Sequence, residues 1–368
     1  MVRSPAVVSL TAVVALGAAG CVQPIDEEQS SVGEVTRDCL VPAPEGVEGL
    51  GAPVSLEYAS ESLWIWEELR LDGGGVVPNA SARVTSASAV CAGGPALSRD
   101  GQGAPLTLLA LSAAEEAQNA ARTDGRRLVL VPTGGFVHAG VGYLFYDHVL
   151  KGPGIFDADV LGAGICVLPE GASSCDRVMD SAGGGGEETV LFAPRERVLN
   201  RGGLVAPVAS GGGGTEQRAL VYGCRGEAAF LSVCTVTGAP LDRLTEPEAY
   251  QLHNDFDGWT DELTAASSIV DELGPVTVSR YEGEYLMTVL DIFEAKVFLR
   301  PAKTATGGFG RRIFAFDVLP SSFFPGGGRE HSGLRTASRT LHLTYTTDDP
   351  RGSGLHLVSF RAFGDLGP

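Results

Sequence analysis

The sequence contains no apolar run long enough to cross a bilayer and no block of basic residues. Its N-terminal apolar stretch, residues 5–19, is shorter than the roughly 20 residues that a membrane-spanning helix needs. Lys and Arg number 27 against 45 Asp and Glu, which gives a formal net charge of −18. Because an acidic chain repels phosphate backbones, nucleic acid is excluded as a favoured partner.

Several catalytic and cofactor-binding signatures are also missing. The sequence has no C-x-x-C motif, G-x-S-x-G elbow, H-E-x-x-H pair, Walker loop or dinucleotide fingerprint. We therefore predict no cofactor and no metal site, and we expect a monomer. Glycine is abundant, with 50 of 368 residues, while the hydrophobic fraction of 44% is that of a folded chain rich in turns.

The N-terminal segment has the layout of an export signal. Arg3 precedes apolar residues 5–19, and the small residues Ala18-Ala19-Gly20 stand directly before Cys21. This arrangement resembles a bacterial lipoprotein signal, whose cysteine is lipidated and becomes the mature N-terminus, although the pattern prefers Leu at Ala18. The alternative is a plain secretory signal with a leftover cysteine. Val22 in place of Asp implies, by the same resemblance, an outer membrane lipoprotein that is periplasmic or surface-exposed.

The composition divides the chain into three parts. We predict a signal peptide over 1–20, a flexible polar tether over 21–45 and one folded domain over 46–368. The tether is predicted because its residues are polar and punctuated by proline.

Six cysteines remain once Cys21 is set aside, and an even number behind an export signal indicates disulfides. Six cysteines allow 15 pairings. The sequence spacing favours Cys166–Cys175 and Cys224–Cys234, which leaves Cys39–Cys91. The alternative is that these residues are buried free thiols.

Helical periodicity is scarce, and short β runs between glycine-rich turns dominate. Residues 113–122 and 261–273 are the helix candidates. Five β runs share an alternation of aromatic and aliphatic residues: LWIWEE at 63–68, YLFYDH at 143–148, ALVYGC at 219–224, YLMTVL at 285–290 and LHLTYT at 341–346. Runs that could pair with the last four follow at 158–168, 228–236, 295–300 and 354–362.

A hairpin that recurs five times predicts an all-β fold, a five-bladed β-propeller, because radial repetition protects the edges of its sheets. The alternatives are a β-sandwich or two small β domains.

Five stretches in order resemble the five-bladed glycosidase-type β-propellers. That group includes arabinanases, furanosidases and a bacterial lipoprotein family known only as a domain of unknown function. The stretches are SLWIWEE at 62–68, GAGICVLPEG at 162–171, ALVYGCRGEAAFLSVCTV at 219–236, EAYQLHNDFDGW at 248–259 and VFLRPAKTATGGFG at 297–310. The resemblance covers residues 50–365. It implies a glycosidase-like fold, whereas activity depends on the individual site.

Glycoside hydrolysis needs two carboxyl groups that face each other across the sugar. In a propeller, carboxylates at the ends of inner strands can meet at an axial pocket although they are distant in sequence. We predict Glu67, Asp147 and Glu227 as the catalytic candidates. The family resemblance implies Gly-Asp at the end of the first strand, where this chain has Trp66-Glu67. Further carboxylates near the ends of the repeated segments are Glu68, Asp291, Asp348 and Asp349.

Three other residues are predicted to bind the ligand. Trp66 offers an aromatic face for a sugar ring. His148, beside Asp147, and Asp291 offer polar groups for sugar hydroxyls. The alternative readings are core packing for the tryptophan and a partly exposed polar pair for Asp147 and His148.

These observations support three functional hypotheses. The first is an envelope-anchored lipoprotein that binds carbohydrate or a similar polar ligand in its axial pocket. The second is an active furanosidase-type glycoside hydrolase. The third is a non-catalytic scaffold for protein interactions at the cell surface, which a large exposed apolar patch would support.

Overall fold

The structure is a computed structural model. It describes residues 32–154, 157–179, 190–193, 199–200, 202–209, 214–228, 231–256, 258–272, 275–322, 325–335, 339–348, 353–363 and 366, with the backbone alone at 226–228, 231–232 and 271. The predicted signal peptide 1–20 and lipidation site Cys21 lie outside the described residues. Within the described ranges, no helix has the length and apolar character needed to span a membrane.

Strands dominate the described part of the chain, as the sequence predicted. In chain order they are β1 (Gly33–Leu40), β2 (Val47–Gly49), β3 (Val54–Glu57), β4 (Ser62–Ile65), β5 (Glu68–Leu71), β6 (Val76–Pro78), β7 (Ser81–Val84), β8 (Ala96–Leu97), β9 (Arg127–His138), β10 (Val141–Lys151), β11 (Ala158–Pro169), β12 (Asp176–Arg177), β13 (Gly203–Ala209), β14 (Thr215–Ala228), β15 (Leu231–Pro240), β16 (Gln251–Asn254), β17 (Gly258–Thr260), β18 (Val270–Glu272), β19 (Val276–Tyr281), β20 (Glu284–Asp291), β21 (Lys296–Ala302), β22 (Ile313–Asp317), β23 (Gly326–Glu330), β24 (Thr340–Thr347) and β25 (Gly354–Ala362). The helices are α1 (Ala87–Gly93) and α2 (Ala113–Ala121), with 3₁₀ turns at Pro247–Ala249, Leu263–Ala265 and Ser332–Leu334.

Within the described ranges, these strands form five larger antiparallel sheets and one small sheet. We number the larger sheets in chain order: sheet I (β3-β4-β7-β8), sheet II (β9-β10-β11-β12), sheet III (β13-β14-β15-β16-β17, with β18 also on β15), sheet IV (β19-β20-β21-β22) and sheet V (β23-β24-β25-β1). The small sheet is β2-β5-β6. The all-β class is therefore confirmed, and a two-layer sandwich is not what forms.

The five repeated segments fall on the second strand of each larger sheet: β4, β10, β14, β20 and β24. Side chains alternate between the two faces of a strand, so a run that is apolar at every position is buried on both faces. In β14, Leu220 and Tyr222 pack on the side of sheet IV. Ala219 and Val221 pack on the side of sheet II.

Apolar clusters fill the spaces between sheets that follow one another in the chain. Separate clusters join sheets I and II, II and III, III and IV, and IV and V. A fifth cluster brings Trp64 and Ala82 of sheet I together with Leu355 and Leu357 of sheet V.

The first strands of neighbouring sheets also approach one another. Strand β3 contacts β9, β9 contacts β13, β13 contacts β19, and β19 contacts β23. His331, directly after β23, shares a hydrogen bond with Ser55 of β3, with Nδ1 2.9 Å from Oγ. The first strands are thus the elements that bring all five sheets to one place.

Part of the predicted tether is a strand. Residues 33–40 form β1, which pairs antiparallel with β25 along its length. The prediction of a flexible tether over 21–45 is wrong for these residues. Strand β1 lies at the edge of sheet V and is mostly exposed, so its composition is as polar as that of a linker.

The helix candidates had different outcomes. The prediction for 113–122 is confirmed by α2, whose capping Ser112 and Glu115 satisfy each other's backbone N–H groups. Within 261–273, the described residues form only the 3₁₀ turn Leu263–Ala265 before β18 begins.

All three predicted disulfides are confirmed. Cys166 bonds to Cys175, Cys224 to Cys234 and Cys39 to Cys91. Cys224 and Cys234 face each other directly across β14 and β15. The bond between Cys39 and Cys91 ties β1 to α1.

Candidate functional site

One cleft is lined by residues at or beside the first strands of all five sheets, and we call it the central cleft. Its cavity volume is about 60 Å³. The lining residues are Ser55, Glu57, Gly134, Gly135, Gly202, Gly203, Thr277, Val278, Ser279, Arg329, Glu330 and Ser332.

Sheets II and III contribute only glycines to this lining. At Gly135, a Cβ atom would lie 2.3 Å from the carbonyl oxygen of Tyr143 and 2.6 Å from Cδ2 of Leu56. Gly202 has a φ of +81°, a conformation that side chains disfavour. The glycines let the strands come close. Because glycine has no side chain, the charged groups in the lining come from sheets I and V.

Glu57, the last residue of β3, is half-buried and held on both oxygens. The Ser55 hydroxyl donates to Oε1 at 2.6 Å, and the Gly333 N–H donates to Oε2 at 3.1 Å. Burial raises the pKa of Glu57 to about 7, and the nearby charge of Glu330 adds to the rise. A carboxyl group with that pKa is divided between its acid and its carboxylate near neutral pH.

A chain of hydrogen bonds runs behind Glu57. Ser55 uses its one proton on Glu57, so its oxygen accepts from Nδ1–H of His331. His331 Nε2, 2.7 Å from the Thr344 hydroxyl, is then the acceptor. Burial, together with the charge of Arg329, lowers the pKa of His331 to about 3, so the imidazole is neutral at pH 7. The relay orients Ser55 towards the carboxylate.

Glu330 ends β23 and is buried. Its Oε1 is 2.9 Å from Nε of Arg335, whose Nη2 donates to the Ser279 hydroxyl at 2.7 Å. Its Oε2 is buried and has no hydrogen-bond partner within the described residues. Glu330 therefore lines the cleft with one carboxylate oxygen paired to Arg335 and the other without a protein donor among the described residues.

Arg329 narrows the cleft. Its Nη1 donates to the carbonyl oxygen of Thr133 at 3.0 Å, which carries the side chain from sheet V to sheet II. The cleft therefore offers a guanidinium, two carboxyl groups and the hydroxyl of Thr277 within a small volume. No cluster of three or more His, Cys, Asp or Glu side chains suited to a metal ion occurs in the described ranges.

The predicted catalytic residues lie outside this lining. Glu67 follows β4, is exposed, and has Oε1 3.1 Å from Nζ of Lys151. Asp147 lies in β10, between β9 and β11, and is half-buried. Glu227 lies in β14, and its side chain is outside the described residues.

The predicted ligand-binding residues also lie elsewhere. Trp66 is 1% exposed, and its indole N–H donates to a backbone carbonyl at 2.8 Å. Buried His148 has Nδ1 3.5 Å from Oε1 of Glu115. Asp291 is buried, with Oδ2 3.0 Å from Nη1 of Arg312.

The remaining carboxylates have local partners. Glu68 Oε1 is 2.7 Å from Nη2 of Arg127, and Asp348 accepts from the Ser321 hydroxyl at 2.5 Å. Asp349 lies outside the described residues.

The residues predicted from the sequence therefore lie about one strand away from the central cleft. The prediction used the repeated segments, which are second strands enclosed between neighbours, whereas the cleft is lined by first strands. The residues that were missed are Ser55, Glu57, Arg329, Glu330 and His331. A usable signal was the strand with polar residues or glycine that precedes each apolar segment, such as Val276–Tyr281 before β20.

Neither protein-family models nor curated proteins match the chain. A crystal structure of a provisionally named hydrolase from Bacteroides ovatus ATCC 8483 aligns with a TM-score of 0.59 and 11% identity, covering 87% of this chain and 87% of that chain. A thermostable family-43 glycoside hydrolase aligns with a TM-score of 0.45, 13% identity and coverage of 89% and 94%. A GH43_1 enzyme from Xanthomonas citri complexed with xylose aligns with a TM-score of 0.47, 9% identity and coverage of 88% and 90%.

At these identities the likeness concerns the fold alone. The fold that this chain shares with the Bacteroides ovatus hydrolase is what the comparison shows.

Proposed function

We propose that this protein is a lipoprotein of the bacterial cell envelope whose five sheets close into a ring and whose central cleft binds carbohydrate or a similar polar ligand. The observation that carries this proposal is the convergence of five first strands on one polar cleft. Sugar hydroxyls donate and accept hydrogen bonds, and the cleft presents Glu57 and Glu330 as acceptors beside the Arg329 donor.

The size of the cleft limits what enters it. Its volume of about 60 Å³ is small beside the roughly 300–1,000 Å³ of pockets that enclose a whole ligand. The cleft therefore takes the edge of a terminal sugar and leaves the rest of the glycan outside.

Ring closure is supported by the contacts at the seam between sheets I and V. The fifth apolar cluster and the His331–Ser55 hydrogen bond both cross this seam. In addition, the N-terminal β1 and the C-terminal β25 share sheet V.

Hydrolysis is the second candidate, and the pKa of Glu57 favours it. A carboxyl group with a pKa of about 7 can donate a proton at neutral pH, and Glu330 supplies a second carboxylate in the same cleft. Binding without turnover is preferred, because Arg335 holds Glu330 in an ion pair.

The test is a glycan array followed by calorimetry and hydrolysis assays on pentose and hexose polymers. At pH 8, where Glu57 is mainly a carboxylate, Glu57→Gln should weaken binding about tenfold or more, because hydrogen bonds to charged groups contribute about 1.5–3 kcal/mol. Glu67→Gln is the matched control, since Glu67 is exposed and outside the cleft, and it should bind as the wild type does. Absence of both binding and turnover would contradict the proposal, whereas product release would select the hydrolase.

The lipid anchor has its own test. Mass spectrometry of the protein from a bacterial host should find Cys21 as the acylated N-terminus, and Cys21→Ser should remain unacylated. An unmodified N-terminus at another residue would instead indicate a plain secretory signal.

A further inference from the structure

A second cavity lies between sheet V and the residues around α1, with a volume of about 290 Å³. Polar groups line it: the hydroxyls of Thr36, Ser88 and Thr340, the guanidinium of Arg37 and the imidazole of His342. None of the described lining residues is acidic, although the chain carries 45 Asp and Glu against 27 Lys and Arg.

Three of the polar residues form a row across sheet V. Arg37 of β1 is directly opposite Ser359 of β25, and Ser359 is directly opposite His342 of β24. Residues opposed in this way project from the same face of a sheet. That face packs through Leu355 and Leu357 against sheet I, so the row is a polar interruption in an apolar layer.

His342 and Ser359 are the buried members of the row. His342 is 5% exposed, and its Nδ1 is 3.0 Å from the Ser359 hydroxyl. His342 lines the cavity, and its buried Nε2 has no hydrogen-bond partner among the described residues. An unpaired buried nitrogen is costly, so a group that enters the cavity and reaches this ring would gain a hydrogen bond.

The exposed end of the row carries the charge. Arg37 is exposed, and no carboxylate within the described ranges pairs with its guanidinium. The Cys39–Cys91 disulfide joins β1 to α1, so the two walls that carry Arg37 and Ser88 are covalently tied. A site held in this way loses little freedom when a ligand binds.

We propose that this cavity binds a small oxyanion, and that a phosphate group is the chemistry that fits it. The Arg37 guanidinium supplies a charge-assisted donor fork, and the hydroxyls of Ser88 and Thr340 supply further donors, whereas the Thr36 hydroxyl donates to the Ser359 carbonyl. With the Ser359 hydroxyl donating to Nδ1, Nε2 of His342 carries the ring proton, and the imidazole is the neighbour that senses an anion in the cavity.

The protonation of His342 gives this proposal a direct readout. Burial, together with the charges of Arg335 and Arg37, lowers the pKa of His342 to about 4. A phosphate beside the ring would offset those charges and raise the pKa. A neutral sugar in the central cleft would leave it unchanged.

The experiment is a titration of the ¹⁵N-histidine-labelled full chain with inorganic phosphate, at ionic strength held constant with sodium chloride. The chain has 6 histidines, and comparison with His342→Gln assigns the ring signals. We expect a saturable shift of His342 and a rise in its pKa that chloride does not produce. Unchanged His342 signals, or a shift that chloride reproduces, would overturn the proposal.

Two arginine variants complete the test. Arg37→Gln should weaken phosphate binding about tenfold or more, whereas Arg361→Gln, an exposed arginine of the same sheet outside the cavity, should not. Equal affinity in Arg37→Gln and the wild type would count against the site. Glu57→Gln should bind phosphate normally, so failure here is separable from failure of the carbohydrate proposal.

Discussion

Glu57 and Glu330 line the same cleft, but the groups that bind their carboxyl oxygens differ. Glu330 has a cation, Arg335, 2.9 Å from one oxygen. Glu57 has neutral donors, Ser55 and Gly333. Glu57 thus has no cation of its own to stabilise its carboxylate, and burial raises its pKa.

Glu57→Gln should change how stability depends on pH. The pKa of Glu57 rises from 4.5 in the unfolded chain to about 7 in the fold, so the stability it contributes is complete below pH 4.5. That contribution is lost as the pH rises from 4.5 to 7 and amounts to about 3 kcal/mol at most. Urea unfolding at pH 4.5 and pH 8 should therefore show the wild type losing stability relative to the variant. Glu67→Gln should follow the wild type, and parallel curves for Glu57→Gln would refute the assignment.

His331 should act in the opposite direction. Its pKa falls from 6.5 to about 3 in the fold, so its contribution is complete above pH 6.5 and is lost as the pH falls towards 3. The loss is about 1.4 kcal/mol per pH unit for one group. His331→Gln should flatten the fall of unfolding free energy between pH 6.5 and 4.5, while His138→Gln should not. A nuclear magnetic resonance titration of the wild type gives a second check, because a ring that protonates near pH 6.5 would contradict a buried neutral histidine.

For individual residues, the sequence predicted the chemistry of the candidate site better than its position. Carboxylates were expected at strand ends, and Glu57 and Glu330 do end strands. Glu67 and Asp147 lie outside this cleft, because the apolar segments that suggested them are second strands whereas first strands line the cleft. Ser55 and His331 carry no motif, and only their hydrogen bonds identify them.

Among the helices and strands, α2 is joined to sheet II through a buried carboxylate, Glu115, that makes two kinds of contact. Glu115 closes the capping box at the N-terminus of α2. Its oxygens also lie 2.6 and 2.7 Å from the two terminal nitrogens of Arg177, and His148 approaches one of them. His148, predicted as a ligand-binding residue, therefore belongs to a contact between a helix and a sheet.

Glu115→Ala should be strongly destabilising. Removing the carboxylate leaves the largely buried Arg177 without its ion-pair partner and opens the capping box, which together should cost about 3–5 kcal/mol. The neighbouring Glu116→Ala is the matched control, because Glu116 is exposed in the same helix turn. Urea unfolding of both variants measures the difference. Equal stability of the two would show that the ion pair contributes nothing net.

Elements with a strong pattern were predictable and elements without one were not. The second strands and α2 were found because continuous apolar runs and a capped helix have clear sequence signals. Strand β1 was missed because its pairing with β25 uses backbone groups that polar residues provide equally well. The three disulfides were predictable because two pairs are close in sequence and leave one remaining pair.

For the molecule as a whole, the two ends of the described chain meet in sheet V. Strand β1 supplies the outer edge of a sheet whose other strands come from residues 326–362. The Cys39–Cys91 bond fastens the same strand to α1, across the seam between sheets V and I. An N-terminal strand that completes the last sheet is a non-local contact that a local reading of the sequence does not reveal.

Removing β1 should therefore lower the stability of the whole folded domain. A chain that starts after Leu40 loses the β1–β25 pairing and a disulfide of sequence separation 52, which alone contributes about 4 kcal/mol in the chain-entropy account. We expect the melting temperature to fall by about 10 °C or more, since 1 kcal/mol corresponds to about 2–4 °C for a domain of this size. A chain that starts at Val32 should melt like the full chain, and the double variant Cys39→Ser and Cys91→Ser should lose only the disulfide share. If the chain lacking β1 melted together with that double variant, β1 would add nothing beyond its cysteine, and the seam between sheets V and I would be held by the apolar cluster and the hydrogen bonds between β3 and the residues after β23.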